Sequence, residues 1–450
     1  MKKYSVEPYP ARFEALTLRQ RFLTRIMSNQ YLHQNMLLLV TNVLAGIFAY
    51  LLHPFLGRML SLQAYGQVAT FISLSLVLAT PTQVISTVAA KYASSLSIGK
   101  NYAQLNDFIR RLTLILLIAG IVGTCLYMAA SGLIASFFHF DSQFEVILFG
   151  VVFVISFVVP LNQGVMQGLQ SFGWYALVTL LLALSRLIFA VGFVFFGLGV
   201  NGAILGLVLS TLLAYFISFL PLRKVLHGPR VHIGSLRMLG SYAILTTVAA
   251  TGIVVLYSID TVLARHFLSA SDAGLYAALA TIGRTALFVT SGIAIIMFPK
   301  VVTLHERGEA HTHVVVQALL GVVGLAAVVE IVFCLAPALL TTVMFGPAFL
   351  PIAGLLPLYG IAMLLLAFAQ VIAMYFLAIG NRIFVMIIAG ACILQIGLIF
   401  WYHNTIAQIV NSVLIANIVL VIALLMIWGM EYQRTKLHVE TKSAATSGLN

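Results

Sequence analysis

The sequence predicts an all-α protein that crosses a membrane about twelve times, in two six-helix lobes around a central cavity. Of its 450 residues, 62% are hydrophobic and only 8% are charged, whereas soluble domains contain about 45–50% apolar residues. Twelve apolar runs are long enough to cross a hydrocarbon core of about 30 Å, which takes about 20 helical residues. Their approximate centres are Gly46, Leu78, Ile121, Ile155, Arg186, Thr211, Ile253, Leu287, Val328, Leu365, Cys392 and Leu420.

A basic segment between the sixth and seventh runs divides the chain into two lobes. Residues 221–240 contain two prolines and three glycines, a composition that is typical of a linker. The predicted parts are a basic N-terminal segment (1–34), a first lobe (35–220), the linker (221–241), a second lobe (242–430) and a tail (431–450).

A short element ahead of the second span recurs ahead of the eighth. The copies share three residue types in the same order, at Arg58, Ser61 and Gly66 and again at Arg265, Ser269 and Gly274. Their offset is 207 residues at the arginines and 208 at the glycines, which indicates one unit used twice. Two unrelated turns are the alternative, because Ser and Gly serve turns generally. If the repeat is real, we expect the two turns to form a gate and to move relative to each other.

Basic residues are distributed unevenly between the two sides of the membrane. With the N-terminus in the cytoplasm, 20 of the 24 lysines and arginines lie in cytoplasmic segments, as the positive-inside rule requires. The net charge of +12 therefore reflects orientation rather than nucleic-acid binding. We expect a multi-pass protein of the cytoplasmic membrane with both termini inside.

The two ends of the chain are more polar than its body. No cleavable signal is visible, because the first 35 residues contain six basic residues and no sufficient apolar core. Residues 12–31 predict an interfacial basic helix or, equally, a solvated tail. The polar residues after Tyr432 predict disorder.

The chain contains no pattern suited to catalysis. Membrane-bound transferases and ligases need acids, bases or metal ligands on sizeable loops, and the outer loops here are short. No Walker-type phosphate loop is present, and the three cysteines lie in apolar runs at no metal-binding spacing. The sequence therefore predicts a protein that is not an enzyme, uses no metal or cofactor, and depends on the membrane potential or an ion gradient.

Four ionisable side chains fall inside the apolar runs, where charge is costly and usually functional. Arg186 and Arg284 lie near mid-depth, roughly 16 Å and 15 Å from an end of their spans at 1.5 Å per residue. Glu330 is similarly central, whereas Asp260 lies within about one turn of the outer end, close enough to reach water. We interpret the arginines as binding groups for an anion and the acids as candidates for ion coupling. A structural ion pair of either arginine with Glu330 is the alternative.

Polar side chains recur at helical spacing on at least five spans. Residues three, four or seven apart share one face of a helix, so these stripes predict an aqueous cavity between the lobes. The expected lining includes Asn42, Gln83, Gln163 and Gln167, with Lys91 and Lys300 at the cytoplasmic mouth. The alternative is that these side chains join helices through hydrogen bonds of about 0.6 kcal/mol each.

The repeated elements resemble those of a known family. The stretches that carry the resemblance are LGRMLSLQAYGQVATF, LARHFLSASDAGLYAALATIGR, IIMFPKV, GPAF and AIGNR. From about Asn35 to Met430, the sequence is similar to the oligosaccharide flippases (Wzx-like polysaccharide biosynthesis proteins) of the multidrug/oligosaccharidyl-lipid/polysaccharide (MOP) exporter superfamily.

The resemblance implies a flippase that moves an undecaprenyl-diphosphate-linked oligosaccharide from the inner to the outer leaflet by alternating access, for cell-surface polysaccharide biosynthesis. It implies the bilayer, a polysaccharide polymerase and chain-length machinery as partners. Drug exporters of the superfamily often use acids in the first lobe, and spans one to six contain no acid at mid-depth, which favours an anionic cargo. The alternatives are a cation-coupled exporter of small amphiphiles and a non-transporting membrane scaffold of a polysaccharide synthesis complex.

The charge pattern makes a direct prediction about topology. Single cysteines in a background without the three native cysteines should be labelled from outside at Ser61 and Ser271, and from inside at His227 and Arg307. An impermeant maleimide on intact cells and on inverted vesicles measures this. Labelling of Ser61 and Arg307 from the same side would contradict the twelve-span topology.

Overall fold

The computed structural model describes residues 18–99, 101–231 and 240–447, and within these ranges the chain is helical, with no β-strand. The first half contains α1 (Leu18–Met59), α2 (Leu62–Ile98), α3 (Tyr102–Ala129), α4 (Ser131–Phe137), α5 (Gln143–Ser156), α6 (Val158–Gly168), α7 (Phe172–Phe193), α8 (Gly199–Ser218) and α9 (Arg223–Leu226). The second half contains α10 (Gly240–Phe267), α11 (Ala270–Glu306), α12 (Thr312–Leu335), α13 (Pro337–Phe345), α14 (Leu356–Ala378), α15 (Ile383–Trp401) and α16 (Ile406–Ser447).

The number of membrane crossings follows from these helices. Ten helical segments among the described residues are long and apolar enough to cross a membrane. One of them, residues 172–218, is a hairpin of two crossings, because Gly197, at φ 87°, turns the chain between α7 and α8. α10, with 28 residues, adds another crossing. All twelve predicted centres lie in these helices, with α5 and α6 forming one crossing, so the predicted fold class is confirmed.

The two halves contain the same succession of elements. α2 and α11 are both 37 residues long, and a serine hydroxyl caps each N-terminus by accepting a backbone N–H three residues on. Ser61 accepts from Ala64 and Ser269 from Asp272. A short helix follows the third span of each half, α4 in the first and α13 in the second. The repeat seen in the sequence is therefore also a repeat of structure.

The two lobes meet where α2 and α11 begin. A Cβ atom on Gly66 would lie 2.9 Å from the Gly274 nitrogen, and one on Gly274 would overlap the Leu62 carbonyl. Only residues without a side chain allow two backbones to approach this closely. From Ala273 through Arg284 every residue of α11 is buried. We call this end of the bundle, around Ser61 and Ser269, the closed end.

The lobes part toward the opposite end. Along the second half of α2 and of α11 the side chains become exposed, at Gln83, Thr87 and Lys91 and at Ile295, Ile296 and Lys300. The hydrogen bonds that described side chains make between the lobes all lie in the half nearer the closed end. We call the end around Lys91 and Lys300 the open end.

Two expectations about the ends of the chain are wrong. Residues 18–31 do not form a separate helix, because α1 continues through them into the first span without a break; residues 12–17 lie outside the described residues. The tail after Tyr432 is not disordered as far as Ser447, since α16 continues to that residue. The tail contains no Gly or Pro before Gly448, so nothing in its sequence ends the helix.

The first part of the predicted linker is attached to the first lobe. Asn106 of α3 donates a 2.8 Å hydrogen bond to the Gly228 carbonyl, and Arg230 forms a 2.7 Å ion pair with Asp107. Asp107 also pairs with Arg111 at 2.9 Å. Residues up to 231 therefore pack on the open end of α3, and residues 232–239 lie outside the described part of the chain.

The crossing of α2 and α11 can be tested with a matched pair of substitutions. Gly274→Leu should lower the melting temperature in detergent, because its side chain meets backbone atoms that cannot move aside, and overpacking costs about 1–3 kcal/mol. Gly292→Leu, in the same helix, has open space around it and should leave the temperature unchanged or raise it. Equal destabilisation by both would show that the crossing is not tight.

Candidate functional site

A buried ion pair lies at the centre of the second lobe. The Arg284 guanidinium of α11 donates to Asp260 Oδ1 of α10 at 2.9 Å, and the side chains are 7% and 0% exposed. Two expectations are corrected here. Asp260 does not reach water from the outer end of its span, and the partner of Arg284 is Asp260 rather than Glu330, because facing turns of α10 and α11 bring Asp260 and Arg284 together.

The carboxylate of Asp260 has further donors. The Tyr276 hydroxyl donates to Oδ2 at 2.8 Å, the Tyr359 hydroxyl donates to the same oxygen at 2.5 Å, and the Thr261 N–H donates to Oδ1 at 2.7 Å. A buried charge is tolerated only when it is paired and hydrogen-bonded. Both oxygens are satisfied, so the cluster ties α10, α11 and α14 together as an electrically neutral unit.

Arg284 donates a second hydrogen bond within its own lobe. It is 2.5 Å long and runs from the guanidinium to the Thr261 hydroxyl. Both hydrogen bonds start from Nη2, and the buried Nε has no partner among the described atoms. Two of the five N–H hydrogens of the guanidinium are therefore committed to the second lobe.

The same face of α11 contacts the first lobe. The Tyr65 hydroxyl of α2 lies 3.2 Å from the Thr281 hydroxyl, and His53 Nδ1 of α1 lies 3.1 Å from the Tyr65 hydroxyl. One turn further along α11, Thr285 donates to the Tyr50 hydroxyl at 3.1 Å. Thr281, Arg284 and Thr285 share one helical face, so the polar cluster of the second lobe directly borders the lobe interface.

Arg186 is in a different situation. It lies on α7 in the first lobe and is half-buried, and neither a carboxylate nor a hydrogen-bond acceptor contacts it among the described residues. Its Nε is fully buried without a partner. An arginine at this depth is normally paired, so the structure leaves one cation of the first lobe uncompensated.

The residues that the sequence predicts to line a cavity differ in their exposure. Asn42, Gln83, Lys91 and Lys300 are exposed, and Gln163 and Gln167 are half-buried. Gln163 donates a 3.0 Å hydrogen bond to Thr179 of α7. Arg186 lies seven residues further along α7, on the same face of that helix. The structure thus brings Gln163 to the arginine's helix, and no contact joins Arg186 to Arg284.

Glu330 lies away from both arginines. It is half-buried on α12, the Cys334 thiol donates to its Oε1 at 3.8 Å, and its Oε2 is buried without a partner. That oxygen lies against Gly360 of α14, where a Cβ atom would overlap it. The two acids proposed for coupling are therefore in different environments, one paired and one not.

The two repeated arginines make reciprocal contacts across the closed end. Arg58 of the first lobe donates to the Val343 carbonyl in the last turn of α13. Arg265 of the second lobe donates to the Phe138 carbonyl at 2.9 Å and to the His139 carbonyl at 2.7 Å, directly after α4. Cations are favoured at helix C-termini, where carbonyls lack partners. Each lobe thus binds the short helix of the other through its arginine.

Sequence reasoning missed the roles of Tyr65, Tyr276 and Tyr359. Aromatic residues within an apolar run look like ordinary core residues, and Tyr359 is 99 positions from its carboxylate partner. The sequence did contain a signal for Tyr276. This tyrosine lies in the repeated element, three residues beyond the position that corresponds to Tyr65.

Comparison with known proteins agrees with this architecture. The sequence profile described as "Polysaccharide biosynthesis protein" matches residues 32–305. No curated protein matches the sequence.

Solved structures with the same fold are membrane transporters. The inward-facing conformation of a multidrug resistance MATE family transporter of the MOP superfamily superposes with a TM-score of 0.72, at 13% identity, over 86% of this chain and 95% of that one. The outward-facing conformation of a MATE family transporter gives 0.56, at 15% identity, over 90% and 94%. The lipid II flippase MurJ, in an inward closed conformation, gives 0.63, at 15% identity, over 86% and 87%.

The profile covers more than half of the chain, and the structural matches cover most of it. The resemblance noted in the sequence is confirmed: the chain is a multi-pass membrane protein that belongs to the polysaccharide biosynthesis protein family and has the fold of MOP superfamily transporters.

Proposed function

We propose that this protein is a flippase for an anionic, lipid-linked oligosaccharide, which it moves from the inner to the outer leaflet of the cytoplasmic membrane by alternating access. The observation that carries the proposal is the uncompensated Arg186 in the first lobe. Undecaprenyl diphosphate fits this site as the carrier lipid, since it offers the negative charge that the site lacks.

The chemistry of Arg186 suits a diphosphate. Leaving a guanidinium unpaired at mid-depth costs free energy, so a partner that arrives with the cargo is stabilised there. The planar guanidinium can donate two parallel hydrogen bonds to phosphate oxygens. Arg284 has Asp260 as its partner, so in this proposal it holds the second lobe together and Arg186 binds the lipid phosphate.

The open end supplies an entry route. Lys91 and Lys300 are exposed there, and in the proposed orientation this end faces the cytoplasm, where the lipid-linked glycan is made. The exposed Asn42 and Gln83 and the half-buried Gln163 and Gln167 offer hydrogen bonds to sugar hydroxyls. The closed end then faces outward, and Arg58 and Arg265, with Gly66 and Gly274, form the gate that must part for release.

The membrane potential can drive this movement. With the inside negative, each negative charge that moves outward gains about 2.3 kcal/mol per 100 mV. No bound cofactor is needed for that step. A polysaccharide polymerase and chain-length machinery are the partners we propose on the outer side, because they consume a flipped glycan.

A cation-coupled exporter of small amphiphiles is the second candidate, and Glu330 is the residue that favours it. Its Oε2 has no partner, so it could take up an ion or a proton. A cationic cargo, however, would need a carboxylate in the cavity. Glu330 instead lies between α12 and α14, beside Gly360. A non-transporting scaffold is disfavoured, because it has no use for an unpaired arginine whose Nε is fully buried.

The proposed role of Arg186 predicts a graded series. In proteoliposomes that contain a lipid-diphosphate-linked glycan, Arg186→Ala should lower flipping at least about 100-fold, and Arg186→Lys about 10-fold, because lysine keeps the charge and loses the bidentate geometry. Arg307→Ala removes an exposed arginine outside the spans and should leave flipping unchanged. Full activity of Arg186→Ala would exclude the proposed binding role.

The proposed structural role of Arg284 predicts a different pattern. Arg284→Gln alone and Asp260→Asn alone should each lower stability by about 3–5 kcal/mol, because either leaves a buried charge without its partner. The double variant should recover most of the melting temperature and of the flipping. Recovered stability without flipping would instead assign Arg284 to the cargo.

A further inference from the structure

We propose that a groove beside Arg58 binds an anionic phospholipid, which holds the two lobes together at the closed end. The groove has a volume of about 460 Å³, within the range of about 300–1,000 Å³ that is usual for small-molecule sites. The proposed function enters only through the orientation of the closed end, which decides the leaflet that supplies the lipid.

Both lobes form this groove. The turn between α1 and α2 supplies one wall, and the end of α13 with the 3-10 helix Pro347–Leu355 supplies the other. The first wall includes Arg58, Ser61 and Leu62, and the second includes Thr342, Ala348 and Phe349. A molecule in the groove therefore contacts both lobes while the end is closed, and it loses one wall when the lobes part.

The groove exists because the two halves of the repeat continue differently after their short helices. Residues 138–140, after α4, are Phe-His-Phe, whereas residues 346–348, after α13, are Gly-Pro-Ala. Arg265 is buried beside the bulky residues, and the Phe140 ring centroid lies 5.7 Å from its guanidinium carbon. Beside Arg58 the small residues leave the space open. The structure thus has a cavity where the other half of the repeat has side chains.

Arg58 gives the groove a positive charge, and the lining residues include no acid. Among the described residues no carboxylate pairs with this arginine. Its Nη2 donates to the Val343 carbonyl, which uses one of five guanidinium N–H hydrogens and leaves four for a ligand. The Ser61 oxygen accepts from the Ala64 N–H, so the hydroxyl hydrogen of Ser61 can also donate. A phosphate group suits such a set of donors.

The rest of the groove favours a lipid over a soluble anion. Most of its lining is apolar, with Leu62 on one wall and Phe349 on the other. Met59 and Val343, on the two helices beside it, are apolar and exposed. Arg58 lies in the last turn of the first span, where a span meets the lipid head groups. A basic pocket between spans at this level is typical of sites for anionic head groups.

A lipid bound in this way favours the closed conformation. It contacts two walls when the lobes meet and one wall when they part, so its affinity for the two conformations differs. By linkage, the lipid shifts the equilibrium toward the closed end by the same factor by which closing strengthens its binding. The fraction of parted molecules therefore falls as anionic lipid is added to the leaflet that the closed end faces.

Native mass spectrometry of the full chain measures the binding directly. The probes are dioleoylphosphatidylglycerol, which is anionic, and dioleoylphosphatidylcholine, which is zwitterionic. Arg58→Gln should retain one phosphatidylglycerol fewer than the natural chain, and so should Ala348→Phe, which keeps the arginine and fills the groove. Ala338→Phe, at an exposed position of α13 that does not line the groove, should retain the lipid. The melting temperature in detergent shows whether each variant is folded.

Distances across the closed end measure the effect of the lipid. Spin labels at Gln143 and Asn404, exposed residues of the two lobes that lie outside the groove, report the separation by pulsed electron resonance in a background without native cysteines. In nanodiscs, replacing phosphatidylcholine by phosphatidylglycerol should raise the ratio of closed to parted molecules about fivefold, as linked equilibria commonly do. Ala348→Phe should remove this response, and Ala338→Phe should keep it.

Each other outcome overturns the proposal. Retention of the lipid by both Arg58→Gln and Ala348→Phe, or a closed fraction that does not respond to phosphatidylglycerol, excludes the site. An equal response to inorganic phosphate in phosphatidylcholine nanodiscs would show an ion site without a lipid, and a dimer in place of the lipid adduct would show an interface between copies. No glycan is present, so these results are independent of the Arg186 series, which tests the proposed function.

Discussion

The electrostatics of this protein depend on the buried contact between Asp260 and Arg284. Two charges at this depth are stable only as a pair with further hydrogen bonds, and Tyr276 and Tyr359 supply those bonds from α11 and α14. The pair sets the rotation of α11 about its axis, which in turn turns Thr281 and Thr285 toward the first lobe. One neutral cluster thus determines both the packing of the second lobe and the polar part of its interface.

The two lobes share a chain topology but differ in how they treat charge. The second lobe compensates its central arginine internally, whereas the first leaves Arg186 without a partner among the residues that the structure describes. A repeat with two compensated halves would present a neutral interior, and one with two free arginines would be costly to fold. The observed division concentrates positive potential in one lobe and leaves the other as a rigid body against which it can move.

Hydropathy was enough to predict the twelve spans and the two lobes, because an apolar run of sufficient length has one stable form in a bilayer. Local turn chemistry was enough to find the repeat at Ser61 and Ser269. The partner of Arg284 was not predictable in the same way, since Asp260 seemed to lie near the end of its span and the depth of a residue depends on tilt and packing. Tyr359 comes from a helix about a hundred residues away, and no periodicity within one span reports such a contact.

The reciprocal arginines of the closed end differ in their surroundings. Arg265 is 2% exposed and lies over the Phe140 ring, 5.7 Å from its centroid, while Arg58 is exposed beside a groove of about 460 Å³ lined by Ser61, Thr342 and Phe349. Dissolved ions screen exposed charges and reach buried ones poorly. Ionic strength therefore weakens the Arg58 contact and spares the Arg265 contact, so that in concentrated salt the lobes remain joined at Arg265 and loosen at Arg58.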